Sequence, residues 1–370
     1  MRNRLDKITL KGFKSIQSLV DFEPRPLNVL IGPNGASKSN LISFFRMLSW
    51  SLSGPDKLSE YVGRQGGASK LLHDGQDRTR EIETELTIQS ETGKSQYGFR
   101  LVFVAGDAFM YADERYRYSS RDLPAQATWK PTEPESGHRG PQLLTWANTD
   151  TTARVIRDIL NKIKVFQFHN TSDTARIRNT WNVNDNRWLK EDAGNIAPVL
   201  LRLKEDDGRC YQRIVDTMRL ILPFFSDFEL EPRYESLLLQ WSERDTDQVF
   251  SVSQASDGML RVVALVTLLL LPERDQPDVL ILDEPELGLH PYAINVVAGL
   301  INALSHKIQV IVATQSMPLI DCFEPSDIVV VNRENRNTTF KRLSEDDLEE
   351  WLENYSLSEL WEKNVLGGRP

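Results

Sequence analysis

The chain has 370 residues, 40% hydrophobic and 26% charged, an ordinary globular composition with length for roughly two to three domains. With 44 Lys and Arg against 53 Asp and Glu the formal charge is −9, so no global positive field draws it onto nucleic acid or an anionic membrane. Two cysteines, Cys210 and Cys322, exclude a disulfide framework, and His73, His138, His169, His290 and His306 never stand at zinc-ligand spacing with a cysteine.

In chain order, residues 1–17 are charged throughout and lack the apolar core of a signal peptide. Leu5-Asp6-Lys7-Ile8-Thr9-Leu10 alternates as a strand, and Leu27–Ile31 reads as a short buried strand. A glycine-bearing loop follows, then an amphipathic helix over 38–52. Residues 53–80 are rich in Gly and polar side chains. The alternation in 81–118 predicts an antiparallel meander, and the Pro- and Gly-rich 119–142 a long loop. A helix is expected at 151–163, a strand at 164–168, and helical sequence at 195–222 with a break near Asp206-Asp207-Gly208. Strands return at 226–241. The order then alternates: helix 257–271, strand 278–283, helix 291–305, strand 308–314, helix 317–323, strand 327–332. Such alternation implies a parallel sheet with helices on its faces. The longest apolar run, 262–271, is too short for a membrane span of ~20 residues and reads as a buried helix. The tail is acidic and reads as helical from Ser344. These features predict a soluble, cytoplasmic protein.

The segment Gly32-Pro33-Asn34-Gly35-Ala36-Ser37-Lys38-Ser39-Asn40 sits where a phosphate-binding loop belongs, after a buried strand and opening a helix. Backbone N–H groups from Asn34, Gly35, Ala36 and Ser37 onward, with the positive helix end, would cradle phosphates. Lys38 would neutralise their charge, and the Ser39 hydroxyl would hold Mg²⁺. The usual pattern carries Gly where Ser37 stands; one small side chain leaves nucleotide binding intact. The second segment, Pro277-Asp278-Val279-Leu280-Ile281-Leu282-Asp283-Glu284-Pro285, is an apolar strand ending in two acids, the form of a Walker B. Asp283 would serve the Mg²⁺ shell, and Glu284 would deprotonate an attacking water. The third, Ser256-Asp257-Gly258-Met259-Leu260-Arg261, is a capped helix start that doubles as an anion site.

Together these segments resemble the ABC-type ATPase heads of the SMC/RecF group, in the AAA_21/AAA_15 (OLD-like) branch. Leu10-Lys11-Gly12-Phe13-Lys14-Ser15 is similar to their opening, and Ser256-Asp257-Gly258 to their signature motif. The resemblance implies that Ser256 and Gly258 complete the ATP site of a second subunit. Asp283-Glu284-Pro285-Glu286-Leu287-Gly288-Leu289-His290-Pro291 resembles a Walker B with D-loop. Ala313-Thr314-Gln315-Ser316 stands where the switch histidine usually stands, which implies a catalytic place for Gln315. In such heads a Gln at a strand end senses Mg²⁺. Gln167 is the residue in that place here, the alternative being a plain polar residue of the strand; His169 beside it reads as a structural histidine. The closing Tyr355–Trp361 and 367–370 are similar to the tail of compact members. OLD proteins carry a Toprim nuclease domain after the ATPase, and the stretch after Val331 is too short for one.

Other charged groups read blandly. Glu243, Asp245 and Asp247 fit a solvated hairpin tip rather than a nuclease metal cluster. Glu345, Asp346, Asp347, Glu349 and Glu350 fit the start of a helix. Arg64 reads as a solvated turn or a DNA-facing loop.

The expectation is a single α/β P-loop NTPase of ABC/SMC-head type over 1–370, with a mixed sheet, an antiparallel β portion and a helical lobe. Residues 1–170 form the N-terminal lobe, 171–275 the helical and signature lobe, 276–343 the Walker B and switch strands, and 344–370 a helical tail. Its expected activity is Mg²⁺-dependent ATP hydrolysis, with Ser39, Asp283 and Gln167 serving the metal. ATP would join a head-to-tail homodimer that gates a separate effector; by resemblance, such ATPases serve anti-phage or toxin-linked systems. The rivals are a RecF-like DNA-binding repair clamp and a nucleotide-dependent scaffold with little turnover. Any DNA or RNA binding by the isolated chain would be weak, and no membrane is involved.

Overall fold

The computed structural model describes residues 2–33, 38–121, 128–131, 137–344, 348, 351 and 354–367. Its strands are β1 (Arg4–Phe13), β2 (Ile16–Phe22), β3 (Leu27–Ile31), β4 (Glu81–Gln89), β5 (Gly93–Val104), β6 (Ala108–Ser120), β7 (Ile163–Phe166), β8 (Trp181–Asn182), β9 (Phe225–Glu229), β10 (Ser236–Leu237), β11 (Gln240–Glu243), β12 (Val249–Ser251), β13 (Val279–Asp283), β14 (Gln309–Ala313), β15 (Ile328–Glu334) and β16 (Asn337–Arg342). Its helices include α1 (Lys38–Ser51), α2 (Lys57–Arg64), α3 (Leu143–Trp146), α4 (Thr151–Leu160), α5 (Ile196–Asp206), α6 (Gly208–Ile221), α7 (Asp257–Leu270), α8 (Pro291–Ser305) and α9 (Met317–Ile320).

β3, β13 and β14 are buried along their whole length because each lies inside a six-stranded sheet covered on both faces. The order is β16-β15-β3-β14-β13-β7, parallel except for β16. In such sheets ligands bind beyond the carboxyl ends of the strands. β3, β13, β14 and β7 end there in Ile31, Asp283, Ala313 and Phe166, so the sheet gathers the motif residues at one rim. A second sheet, β2-β1-β4-β5-β6, is antiparallel, so the expected meander over 81–118 is joined by the N-terminal hairpin. α7 packs among α5, α6 and α8, which accounts for its burial on nearly every side from Val262 to Leu270. Among the described residues no helix is long and apolar enough to cross a membrane.

Several boundaries differ from expectation for local reasons. The helix expected to run to 163 stops at Leu160, and β7 begins at Ile163. The 195–222 stretch is two helices; the Asp207 carboxylate caps α6 by accepting from Cys210 N at 3.1 Å. The Gly-rich 53–80 contains α2, whose Leu58, Tyr61 and Val62 are buried. β16 was not expected. It folds back on β15 through Asn335 and Arg336, both at positive φ (49° and 70°). Of the proposed loop 119–142, Lys130 and His138 bridge back to Tyr116 and Tyr111. The Glu114 carboxylate holds the start of α3 by accepting from Gln142 N at 2.7 Å and Leu143 N at 3.0 Å, and burial pushes its pKa up to about 7. Asp245 and Asp247 are exposed between β11 and β12. The acids 345–347 and 349–350 lie outside the described residues; the tail's described helix is Leu357–Glu362, started by a Ser356–Glu359 capping box.

Candidate functional site

Asn34, Gly35, Ala36 and Ser37 lie outside the described residues. β3 delivers the chain to Gly32 and Pro33, and α1 opens at Lys38. Lys38 is 5% exposed, and its ammonium donates to Gly32 O at 2.6 Å. Burial pulls its pKa down, opposed by the charges of Glu284, Asp283 and Glu286. Asn40 Nδ2 donates to Ser15 Oγ at 2.7 Å, and Ser15 Oγ lies 2.6 Å from Thr338 Oγ1. The Phe13-Lys14-Ser15 opening and β16 are thus latched to the start of α1.

At the end of β13, Asp283 is 5% exposed, and burial raises its pKa against the pull of Arg46 and His169. Its Oδ2 accepts from Gln167 Nε2 at 3.1 Å and lies 3.6 Å from Arg46 Nη2. Gln167, one residue beyond β7, also accepts at Oε1 from Arg46 Nη2 at 2.6 Å and bonds His169 Nδ1 through Nε2 at 2.8 Å. His169 Nε2 lies 3.0 Å from Asp283 O, so this histidine ties the two strand ends together. Glu284 takes φ 47°, a costly conformation for a residue with a side chain, and its N–H donates to Ala313 O at 2.8 Å. Gln315 Nε2 donates to Glu284 Oε1 at 2.8 Å. Beneath them the buried Glu286 accepts from Thr314 Oγ1 at 2.5 Å. Ser39, Asn40, Arg46, Gln167, Asp283 and Glu284 line one cleft of about 300 Å³.

Ser256 and Gly258 lie elsewhere, lining a separate cleft with Gly288 and His290. The Ser256 hydroxyl caps α7 by accepting from Met259 N at 3.2 Å. A Cβ on Gly258 would stand 2.9 Å from Gly288 O, so only glycine fits that approach without displacement. Arg261 connects the two regions. It donates to Phe168 O at 3.2 Å, His169 O at 3.1 Å and Leu287 O at 3.1 Å. Arg178 braces the other side, donating to Thr171 O at 2.8 Å and Ala255 O at 3.3 Å.

Residues 27–321 match the family described as AAA domain, putative AbiEii toxin, type IV TA system. The chain belongs to that family. Its fold is also that of solved SMC heads. One is an SMC head bound to the C-terminal winged-helix domain of ScpA, at 18% identity and a TM-score of 0.58, over 94% of this chain and 99% of that one. Another is a Pyrococcus furiosus Smc head with an extended coiled coil, bound to the C-terminal domain of ScpA, at 15% identity and 0.56, over 95% and 99%. No curated protein matches the sequence. The chain thus carries an AAA domain with the fold of an ABC/SMC-type P-loop ATPase head, a class that generally binds ATP with Mg²⁺.

The donor chemistry suits that pair. Ser39, Gln167 and Asp283 bring hydroxyl, amide and carboxylate oxygens to one cleft, the hard donors Mg²⁺ prefers alongside phosphates. Among the described residues no group of three or more His, Cys, Asp and Glu could hold a metal by itself. Sequence reasoning passed over Arg46 and gave Arg261 no role. Arg46 had a signal: it lies seven residues after Ser39 and three after Ser43, on one face of α1. Arg261 had none, since its partners are three backbone carbonyls and the Thr171 hydroxyl, all distant in sequence.

Proposed function

We propose that the chain binds Mg·ATP in this cleft and hydrolyses it to ADP and phosphate. The observation that carries the reading is the bond from Gln315 to Glu284, beside the Gln167–Asp283 bond. It aims one carboxylate into the cleft under a neutral donor, while the second is held back on the strand. Lys38 leaves the Gly32 carbonyl for the phosphates, joined by N–H groups at the start of α1. Ser39, Asp283 and Gln167 hold Mg²⁺, which offsets phosphate charge. Glu284 takes the proton of a water that attacks the γ-phosphorus as the bond to the ADP oxygen breaks. Gln315 keeps the Glu284 carboxylate aligned.

Ser256 and Gly258 act in a second copy's site, in a head-to-tail homodimer closed by ATP. What supports this is that they line a different cleft from Ser39, Asp283 and Glu284 of their own chain. The dimer cycle gates a separate protein. The family's toxin-linked description and the winged-helix partner of the solved SMC head support a separate effector, as in anti-phage defence. The test is phosphate release by wild type, Lys38→Ala and Glu284→Gln with Mg·ATP. Turnover in wild type alone, with nucleotide binding lost in Lys38→Ala and retained in Glu284→Gln, supports the reading. Equal release from all three overturns it.

A further inference from the structure

We propose that the Arg46 guanidinium is a built-in cation of the metal subsite, competing with the divalent ion for the oxygens of Gln167 and Asp283 and withdrawing when the ion loads. This rests on the reading that the cleft takes Mg·ATP. The same nitrogen, Nη2, lies 2.6 Å from Gln167 Oε1 and 3.6 Å from Asp283 Oδ2. Among the described residues these two side chains take its hydrogen bond and its ion pair.

The Gln167 amide is locked in this orientation. Its Nε2 donates to Asp283 Oδ2 and to His169 Nδ1, at 3.1 Å and 2.8 Å. With Nδ1 accepting, His169 Nε2 carries its proton and donates to Asp283 O. A flip of the amide would set two acceptors against its oxygen, so Oε1 stays turned toward Arg46. Mg²⁺ draws oxygen ligands to about 2.0–2.1 Å and tolerates no second cation on the same lone pairs. Arginine and ion therefore compete for these oxygens, through charge repulsion and through the lone pairs that the arginine occupies.

The arginine has somewhere to go. Its side chain is 31% exposed and also lines a wider cleft of about 580 Å³ with Trp50, Trp188 and Glu191. The Glu191 carboxylate there already feels the Arg46 charge. Exchanging Asp283 for Glu191 keeps the guanidinium paired while freeing the metal oxygens. With the ion absent, Arg46 holds Gln167 and Asp283 in place and screens a buried carboxylate.

The experiment titrates Mn²⁺ into the full chain without nucleotide, followed by electron paramagnetic resonance, with thermal midpoints in Mg²⁺ measured alongside. Arg46→Met is expected to lower half-saturating Mn²⁺ by about 10-fold or more, the equivalent of one charge-assisted bond. It should also gain a Mg²⁺-dependent rise in midpoint that the wild type lacks, while Arg46→Lys stays near wild type. A folded Arg46→Met that binds Mn²⁺ no tighter than wild type overturns the proposal. If Arg46→Met does not fold, the double variant with Asp283→Asn should, because no charge is then stranded. Failure of the double variant beside a folded Asp283→Asn also overturns it. ATP affinity of the wild type is read from the same preparation. Absent ATP binding with the Arg46 effect intact sinks the nucleotide reading alone. Intact ATP binding without the effect sinks this inference alone.

Discussion

At the rim of the parallel sheet, Gln167, Asp283, Glu284 and Gln315 are joined to one another through side-chain and backbone bonds. At the start of α7, by contrast, the Ser256 hydroxyl serves its own helix and Gly258 lies against the Gly288 carbonyl, lining a cleft of its own. The first region positions its proposed reactive groups within one chain. Among the described residues the second is tied to them through Arg261, which holds carbonyls on the strand exit and on the loop after β13, and through Arg178, which holds Thr171 O and Ala255 O. On the proposed reading the contrast teaches that mutual bonding marks the groups set for chemistry, with Asp283 alone of the four buried. On the same reading, Ser256 and Gly258 at the start of α7 face another molecule's phosphate.

Breaking the first region should cost most. Glu284→Gln keeps the shape of the side chain but removes the base, so phosphate release should fall by about 10²–10⁴-fold with ATP affinity retained. Loss of ATP binding instead would place Glu284 in substrate holding, and the contrast between chemistry and contact would fail. Cutting the link comes next. Arg261→Met leaves the Phe168, His169 and Leu287 carbonyls without this donor and should lower stability by about 2–4 kcal/mol in urea unfolding. A change below about 0.5 kcal/mol would mean that the two regions are held together by packing alone. The smallest effect sharpens the first region from within. Gln315→Ala removes one bond from a neutral donor to a half-exposed carboxylate, worth about 1.5 kcal/mol, so turnover should fall by only about 10-fold. A loss matching that of Glu284→Gln would make Gln315 a primary catalytic group.

What could be read from the sequence follows the same division. β3 and β13 are buried on both faces, Lys38 opens the helix that follows the first and Asp283 and Glu284 close the second, so local pattern sufficed to place these residues. β16 was missed because it is a polar edge strand turned by Asn335 and Arg336 rather than by an Asn-Gly pair. α2 was missed because Ser59 and Gly63 dilute its apolar stripe of Leu58, Tyr61 and Val62. Gln167 was singled out by resemblance; its bond to Asp283 joins positions 116 residues apart and no spacing reveals it. Arg46 and Arg261 act through tertiary contacts, which leave no local periodicity to find.

The central claim is that one chain holds half of each ATP site. The direct measurement is the mass of Glu284→Gln by light scattering, with and without Mg·ATP, beside Ser256→Arg. The account predicts that Glu284→Gln is a monomer alone and a dimer with Mg·ATP, while Ser256→Arg binds ATP and stays a monomer because the added cation blocks the facing loop. Glu284→Gln remaining a monomer with ATP bound would contradict it.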